Sequence, residues 1–470
     1  MRSLYDIAII GSGPAGLSAA VELSKSGLTI ALFDEQSSAG GQIYRSAERF
    51  SFSEKPYLGQ EFEYGTLLIK EFKKSSIDYF PGSSIWQISR ELEIGVSLKK
   101  QSYLIKARQV ILATGAIERP FPIPGWTLPG VSTIGSAQIL LKSHGLAEDH
   151  SILIGSGPLL YLLAVQYLRA GVKIKAILDT NNSKNKFRAL AFLPRALGRL
   201  DLIYQGVKWI SEIKNAKLQY VNKVSKLELI GTKHLTSVAY ETEAGVTGEI
   251  KAKRALLHQG VTPNINLSMA TRCDHIWDPI QLCWKPWVNV NGETTIPNLF
   301  IIGDGAGIIG AKASEASGHL LGIQIRSSLK STQDVRNSKN YKSWQSILSK
   351  ELQFRPFIDT LFKPRKNFRI PDSSHTIVCR CEEVTAQQVQ ENIRLGCLGP
   401  NQMKAFCRAG MGPCQGRLCG ITISEIIASE RNVPVSDVGY YRLRPPIKPL
   451  TLLELANLNN TINPQSAKDY

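Results

Sequence analysis

The sequence predicts an α/β fold in which one βαβ domain is nested inside another, followed by a smaller cysteine-bearing segment. Three observations carry this expectation. A strand, glycine turn, helix and strand open the chain at 5–35, and the same pattern returns at 151–180. After the second unit an apolar run ending in glycines, "NLFIIGDGAG" at 298–307, brings the chain back. Four of the eight cysteines then fall in two short stretches, 379–381 and 414–419, and none precedes Cys273.

The first unit reads "YDIAII" (5–10), "GSGPAG" (11–16), a helical stretch, and "LTIALFDE" (28–35). Leu17, Ala20, Val21 and Leu23 lie on or near one helical face, and Gly27 is placed to cap the helix. Glycines at the first, third and sixth places let the backbone approach a pyrophosphate at a helix N-terminus. Gly11, Gly13 and Gly16 meet that requirement. An acid at the end of the next strand holds a ribose hydroxyl; Asp34 has the offset, with Glu35 its neighbour. A polar, irregular section at 36–60, a helix near 61–74 and short strands lead to "QVILATG" at 109–115.

The second unit reads "SILI", "GSGPLL", a helix and "VKIKAILDT". Leu160 stands where the third glycine belongs, so a side chain must displace something where helix and strand pack closely. Asp179 ends the following strand, in the place of an NAD ribose acid. The residues leave two readings: a turn that takes NAD(P), and a nucleotide-binding fold that takes no nicotinamide cofactor. The apolar stretch at 151–168 is cut by its Gly-Ser-Gly-Pro turn, which excludes a spanning helix.

The 470 residues carry a formal charge of +17, yet lysine and arginine are scattered rather than gathered in an aromatic-interleaved stripe. No nucleic-acid partner is expected, and a cationic face toward an acidic partner accounts for the charge. The first strand begins too early for a basic, apolar leader. A soluble cytoplasmic protein follows, with peripheral association to the inner membrane left open.

Cys379 and Cys381 form C-x-C in "TIVCRCEEVT", and Cys414 and Cys419 form C-x4-C in "GMGPCQGRLCG". C-x-C sets adjacent thiols on a loop rather than one core face, which suits a turn around a metal. Structural zinc prefers C-x2-C knuckles, whereas a [2Fe–2S] centre needs four thiolates, two on each iron. Spacing alone does not choose between them.

The N-terminal "GSGPAG", "ILATG" at 111–115 and "NLFIIGDGAG" together resemble the two-dinucleotide-binding-domain flavoproteins of the glutathione-reductase-like superfamily. "VCRCEEVT" and "KAFCRAGMGPCQGRLC" (404–419) resemble the [2Fe–2S] domain related to bacterioferritin-associated ferredoxin. With "GAIERPFPIPGWTLPGV" (115–131) and the closing "RPPIKPL", the whole chain resembles the FAD-binding A or alpha subunits of opine oxidases. Hydrogen cyanide synthase and D-hydroxyproline dehydrogenase have similar subunits. The generic ferredoxin relative has C-x2-C where this chain has C-x4-C, and Cys407 stands as a reserve ligand.

That resemblance implies two nested Rossmann-like domains plus a small α-rich [2Fe–2S] domain. The implied layout is an FAD-binding domain at 1–115 and 297–330, a second nucleotide-binding-like domain at 116–296, a connector at 331–375, a [2Fe–2S] domain at 376–430 and a tail at 431–470. It implies FAD held by Gly11, Gly13, Pro14, Ala15, Gly16, Asp34, Glu35, Gly41, Gln42, Arg45, Ala113, Thr114, Gly115, Gly303 and Asp304. It implies a [2Fe–2S] cluster on Cys379, Cys381, Cys414 and Cys419. NAD(P) use is a further expectation that the damaged second turn argues against. The implied role is electron transfer in a multi-subunit dehydrogenase of C–N bonds. Its substrate, an opine, hydroxyproline or glycine-type amine, is oxidised on a partner flavoprotein resembling D-amino-acid oxidases. A small ferredoxin-like partner and a quinone or other respiratory acceptor complete the expectation; a self-sufficient NAD(P)H-dependent reductase is the alternative.

The disulfide reductases of this superfamily keep a cysteine pair beside the flavin. Neither "GGQIYR" (40–45) nor "VSTIGSAQ" (131–138) contains one, so that chemistry is excluded at both places. His258 is expected to be a satisfied structural histidine, and Glu118 and Arg119 an ion pair at a domain hinge. No Ser/His/Asp or paired-carboxylate site calls for hydrolysis, and no catalytic residue is assigned.

Overall fold

The computed structural model describes residues 1–49, 55–328 and 335–458. The first residues of the expected connector (331–334) and the last of the expected tail (459–470) lie outside these. A seven-stranded sheet takes its strands from two separated parts of the chain. Its order runs Asp78–Pro81, Ile30–Asp34, Leu4–Ile10, Gln101–Leu112, Glu93–Leu98 and Ser84–Ile88, with Leu299–Ile301 also beside Gln101–Leu112. The strands nearest the glycine turn run parallel, so their C-terminal ends gather on one edge. The apolar run "YDIAII" forms the buried central strand because neighbours cover both its faces.

Helix Pro14–Leu23 follows the turn, with proline in its first turn and almost every residue buried. It packs against helix Ala311–Ser328 at backbone distance. A Cβ on Gly318 would enter the Ala15 carbonyl, and one on Gly322 would press on Glu22 Cβ at 2.6 Å. These glycines bring the returning segment onto the first helix.

The second sheet is wholly parallel, in the order Gln219–Val221, Ile174–Asp179, Ser151–Gly155, Ala255–His258 and Val131–Thr133. A three-stranded antiparallel sheet, Val224–Gly231, Leu235–Thr242 and Thr247–Lys251, extends from it. The basic stretch expected as a connector carries the helix Lys339–Leu361, which packs on Ala311–Ser328 and Ser183–Leu190. Its polarity misleads because only Glu351 and Phe354 are deeply buried; the rest faces water or half-covers its neighbours.

The C-terminal region is helical, with Ala386–Arg394, Pro400–Cys407 and Gly420–Arg431 around a two-stranded ribbon. It is bound to the body by polar anchors. Trp126 Nε1 donates to the Ile377 carbonyl at 2.7 Å, Arg380 lies over the Trp126 ring, and Arg369 pairs with buried Glu425. The tail does not trail away. Tyr441, Leu443 and Ile447 are buried, and the Ile447 N–H donates to the Trp86 carbonyl of the first sheet at 2.9 Å.

Candidate functional site

A cavity of about 620 Å³ opens at the carboxyl edge of the first sheet. It is lined by Gly11, Gly13, Pro14, Ala15, Asp34, Glu35, Gly41, Gln42, Arg45, Ala113, Thr114, Gly115 and Asp304. Gly16 and Gly303 stand behind this wall. A Cβ on Gly16 would enter the Gly11 carbonyl, and one on Gly303 would meet Ala15 Cβ at 2.9 Å, so both glycines set the turn rather than line the cavity. Gly13 and Gly41 face each other closely enough that a Cβ on Gly41 would lie 2.7 Å from Gly13 Cα. Bare backbone on both sides leaves room for a flat, phosphate-bearing ligand.

The two strand-end acids have different tasks. Asp34 Oδ2 accepts from the Ser12 N–H at 2.6 Å and the Ser12 hydroxyl at 2.7 Å, while Oδ1 accepts from the Gln36 N–H. Asp34 therefore braces the turn as well as lining the cavity. Glu35 is paired with Lys448 of the tail at 2.7 Å. Asp304 Oδ1 accepts from the N–H groups of Ile309 and Gly310, both at 2.8 Å, fixing the loop that starts the returning helix.

Arg45 is buried and donates to Gln42 Oε1 at 3.1 Å, but its Nε has no hydrogen-bond partner. Burial lowers its pKa, opposed by the nearby Asp34 carboxylate. Asn266, also buried in the wall, leaves Nδ2 without a partner. Unsatisfied donors in a dry wall are costly unless a ligand takes them. They fit the polar atoms of a bound flavin dinucleotide. Sequence reasoning missed Asn266, which no motif marks, and missed Arg417, Ile447 and Lys448, which arrive from the C-terminal region.

The second glycine turn differs in every respect that matters to a ligand. Leu160 is fully buried, and Leu159 beside it lines the flavin cavity. Asp179 Oδ2 accepts from both Tyr161 and Tyr220 hydroxyls at 2.7 Å, and Oδ1 from the Asn181 N–H at 2.8 Å. This carboxylate is spent on its own domain. His258 sits under the turn, with its ring 3.1 Å from where a Gly157 Cβ would be. Glu118 and Arg119 form no hinge ion pair. Glu118 binds His258 Nδ1 at 2.7 Å and accepts from the Gly135 N–H. Buried Arg119 points away and donates to the carbonyls of Gln281 and Leu282. A backbone carbonyl pair can satisfy a guanidinium as well as a carboxylate can, which the sequence does not reveal.

The four cysteines come together as two pairs, each joining one residue from either stretch. Cys419 lies close enough to Cys379, and Cys414 close enough to Cys381, to act on its titration. The Cys379 thiol is pushed down to about 6, first by the Cys419 hydrogen bond and then by backbone groups of Gly410, Glu382 and Cys381, against burial. Its partner Cys419, fully enclosed, is pushed up by that same hydrogen bond and by burial. The cradle is glycine-built. A Cβ on Gly412 would enter Cys381, and Cβ atoms on Gly410, Gly416 and Gly420 would enter the Tyr441 and Tyr440 rings. Cys407 points to the Met403 carbonyl and Cys397 to that of Gly399, so neither takes part in the pairs. Among the described residues no three His, Cys, Asp or Glu side chains converge as a preformed metal site. The donor chemistry nonetheless fits a thiophilic centre: four thiols from two stretches, gathered where glycines let the backbone pack closely.

The segment that carries these pairs also closes the flavin cavity through Arg417, whose Nε donates to the Cys414 carbonyl at 3.3 Å. Among the described residues, no helix is long and apolar enough to cross a membrane.

Fold and cavity together define a flavin-type oxidoreductase built on two nested nucleotide-binding domains. The family model described as pyridine nucleotide-disulphide oxidoreductase matches residues 5–319, and that of the sarcosine oxidase A3 domain matches 373–458. The chain belongs to the family of opine oxidase A subunits: it is 42% identical to the one from Agrobacterium tumefaciens (strain Ach5), across 98% of this chain and 93% of the relative. The HcnB subunit of hydrogen cyanide synthase from Pseudomonas aeruginosa is 27% identical across 96% of this chain and 98% of its own. Among solved structures, L-proline dehydrogenase from P. horikoshii shares the fold with a TM-score of 0.71 at 18% identity, across 97% of this chain and 80% of that one.

Proposed function

We propose that this chain is the FAD- and [2Fe–2S]-binding electron-transfer subunit of a multi-subunit amine or imino-acid dehydrogenase. The observation that carries the proposal is the cross-pairing of Cys379 with Cys419 and Cys381 with Cys414 in the segment that closes the flavin cavity. Four thiolates are what a [2Fe–2S] centre requires, and these four residues would hold it. When bound, FAD takes up two electrons and the cluster exchanges one, which lets a hydride equivalent be divided into single steps.

The chain's own groups have defined tasks. Gly13 and Gly41 admit the pyrophosphate, Arg45 and Asn266 offer donors to the dinucleotide, and Asp34 with Ser12 keeps the turn in shape. Buried Tyr441 covers the enclosed Cys379 and Cys419, whereas Cys381 is exposed. Three relatives bear the names of oxidase or synthase subunits. Substrate chemistry on an opine, hydroxyproline or glycine-type amine is accordingly assigned to a partner flavoprotein, and the final acceptor to a quinone or similar carrier. The sequestered Asp179 argues against a self-sufficient NAD(P)H reductase.

The test is anaerobic reduction of the purified complex, read by electron paramagnetic resonance with iron and acid-labile sulfide determined on the same sample. A [2Fe–2S] signal lost in Cys381→Ser supports the proposal; zinc in place of iron overturns it. Fast flavin bleaching by NADH or NADPH alone would establish the reductase instead.

A further inference from the structure

Residues 183–215 form a layer of surface helices: Ser183–Leu190, Leu193–Ala196, a turn at Leu197–Arg199, and Leu200–Asn215. One side is packed on Lys339–Leu361 and Pro158–Arg169 through Asn185, Ala189, Ala196, Arg199 and Ile213. The other side is unusual. Phe187 is 75% exposed, Tyr204 72%, Val207 61%, Leu200 57%, and Leu190 and Leu197 56% each. Six large apolar side chains in one short stretch stand in water, far more than the isolated exposures that need no explanation.

The charges of the layer are one-sided. Lys184, Lys186, Arg188, Arg195, Lys208 and Lys214 are all exposed among these apolar groups. Its two acids are already neutralised, Asp201 by Arg199 at 2.7 Å and Glu212 by Arg169 at 2.8 Å. A protein interface core selects against lysine, whereas a helix lying in a lipid headgroup layer combines aromatic and leucine side chains with interspersed lysine and arginine. No helix of the described residues can span a bilayer, so any attachment by this layer is interfacial.

We infer that helices 183–215 dock the protein on the surface of an anionic phospholipid bilayer, with Phe187, Leu190, Leu197, Leu200 and Tyr204 entering the headgroup region and the six cations meeting lipid phosphates. The inference does not depend on the cluster, because binding is read without electron transfer. Docking of this kind brings the protein to a membrane-dissolved acceptor.

Flotation of the assembled complex with phosphatidylcholine vesicles, with and without phosphatidylglycerol, tests it. The complex is expected to float only with the phosphatidylglycerol vesicles and to be released by salt. Lys184→Gln with Lys186→Gln should lower partitioning about 25-fold, at about fivefold for each cation. Phe187→Ser with Leu190→Ser should abolish flotation, while Val290→Ser, at a still more exposed apolar side chain outside the layer, leaves it unchanged. Each variant must keep the wild-type flavin spectrum and melting temperature. Absence of flotation on anionic vesicles, or wild-type partitioning by the paired lysine variant, overturns the inference. So does dissociation of the complex by Phe187→Ser with Leu190→Ser in sedimentation velocity, which would make the layer a subunit interface.

Discussion

The turns at 11–16 and 155–160 share four of six residues and the same strand-to-helix setting, yet one is open to a ligand and the other is closed. In the first, a Cβ on Gly13 would meet only the Gly41 backbone, at 3.8 Å, and the buried donors of Arg45 and Asn266 are unspent. In the second, Leu160 fills the place of the third glycine, two tyrosines consume Asp179, and His258 backs the turn. Glycine spacing therefore specifies a backbone shape, and ligand capacity is decided by what surrounds it.

The largest effect is expected from Gly16→Ala. Its Cβ would enter the Gly11 carbonyl, a backbone group that cannot swing aside. A loss of several kcal/mol and purification without flavin are expected, measured by thermal melting and by absorbance near the flavin band. A stable, flavin-loaded Gly16→Ala would break the distinction between the turns.

Next comes Leu160→Gly, which restores the fingerprint in the second turn. The buried side chain packs in the core of its domain, so its removal should cost about 3–5 kcal/mol, with a helix glycine adding to the cavity. Flavin content should be unchanged, and anaerobic NADH should still fail to bleach it. Rapid bleaching by this variant would show that Leu160 alone closes the site.

The tyrosine lock gives a pH signature. Burial, reinforced by Asp179, raises the pKa of Tyr161 and Tyr220 above the ordinary value of 10. The folded state thus retains their protons when the unfolded chain has begun to lose them, and stability falls as pH rises through 10. The slope contributed by each tyrosine is about 1.4 kcal/mol per pH unit. Tyr220→Phe should flatten the alkaline limb of a melting-temperature profile by one such contribution. An unchanged limb would mean that Asp179 is not held in this way.

Much of this was legible because local physics wrote it. Strand, turn and helix signals in the two βαβ units depend on neighbours in sequence, and the flavin-cavity residues Gly11, Gly13, Pro14, Ala15 and Asp34 sit in the first of them. What was not legible depends on distance. Asn266 and Arg417 reach the cavity from segments with no ligand motif, and Arg119 finds carbonyls more than 160 residues away instead of adjacent Glu118. The connector's polarity concealed a long helix because a helix covered on one narrow stripe needs few apolar residues. The cysteine spacing left zinc and iron–sulfur unresolved, since it states nothing about which thiols meet; the cross-pairing is a property of the folded segment.

The smallest effect tests how the C-terminal tail bears on the open turn. Lys448 reaches Glu35 at 2.7 Å, but Glu35 is 48% exposed, so the pair should contribute less than about 1 kcal/mol to folding. Its position matters more than its strength. Ile447, one residue earlier, is buried against the cavity and tied to the Trp86 carbonyl, so the tail stays in place without the ion pair. Lys448→Ala should therefore leave the melting temperature within a degree or two of wild type, by about the shift such a pair produces. Flavin retention during gel filtration should fall, because Glu35 loses its fixed partner and the wall at that end of the cavity loses a side chain. Wild-type flavin retention would show that the tail merely covers the cavity. A large loss of stability would show instead that it holds the first domain together, and the two turns would then differ in their supports as well as in their walls.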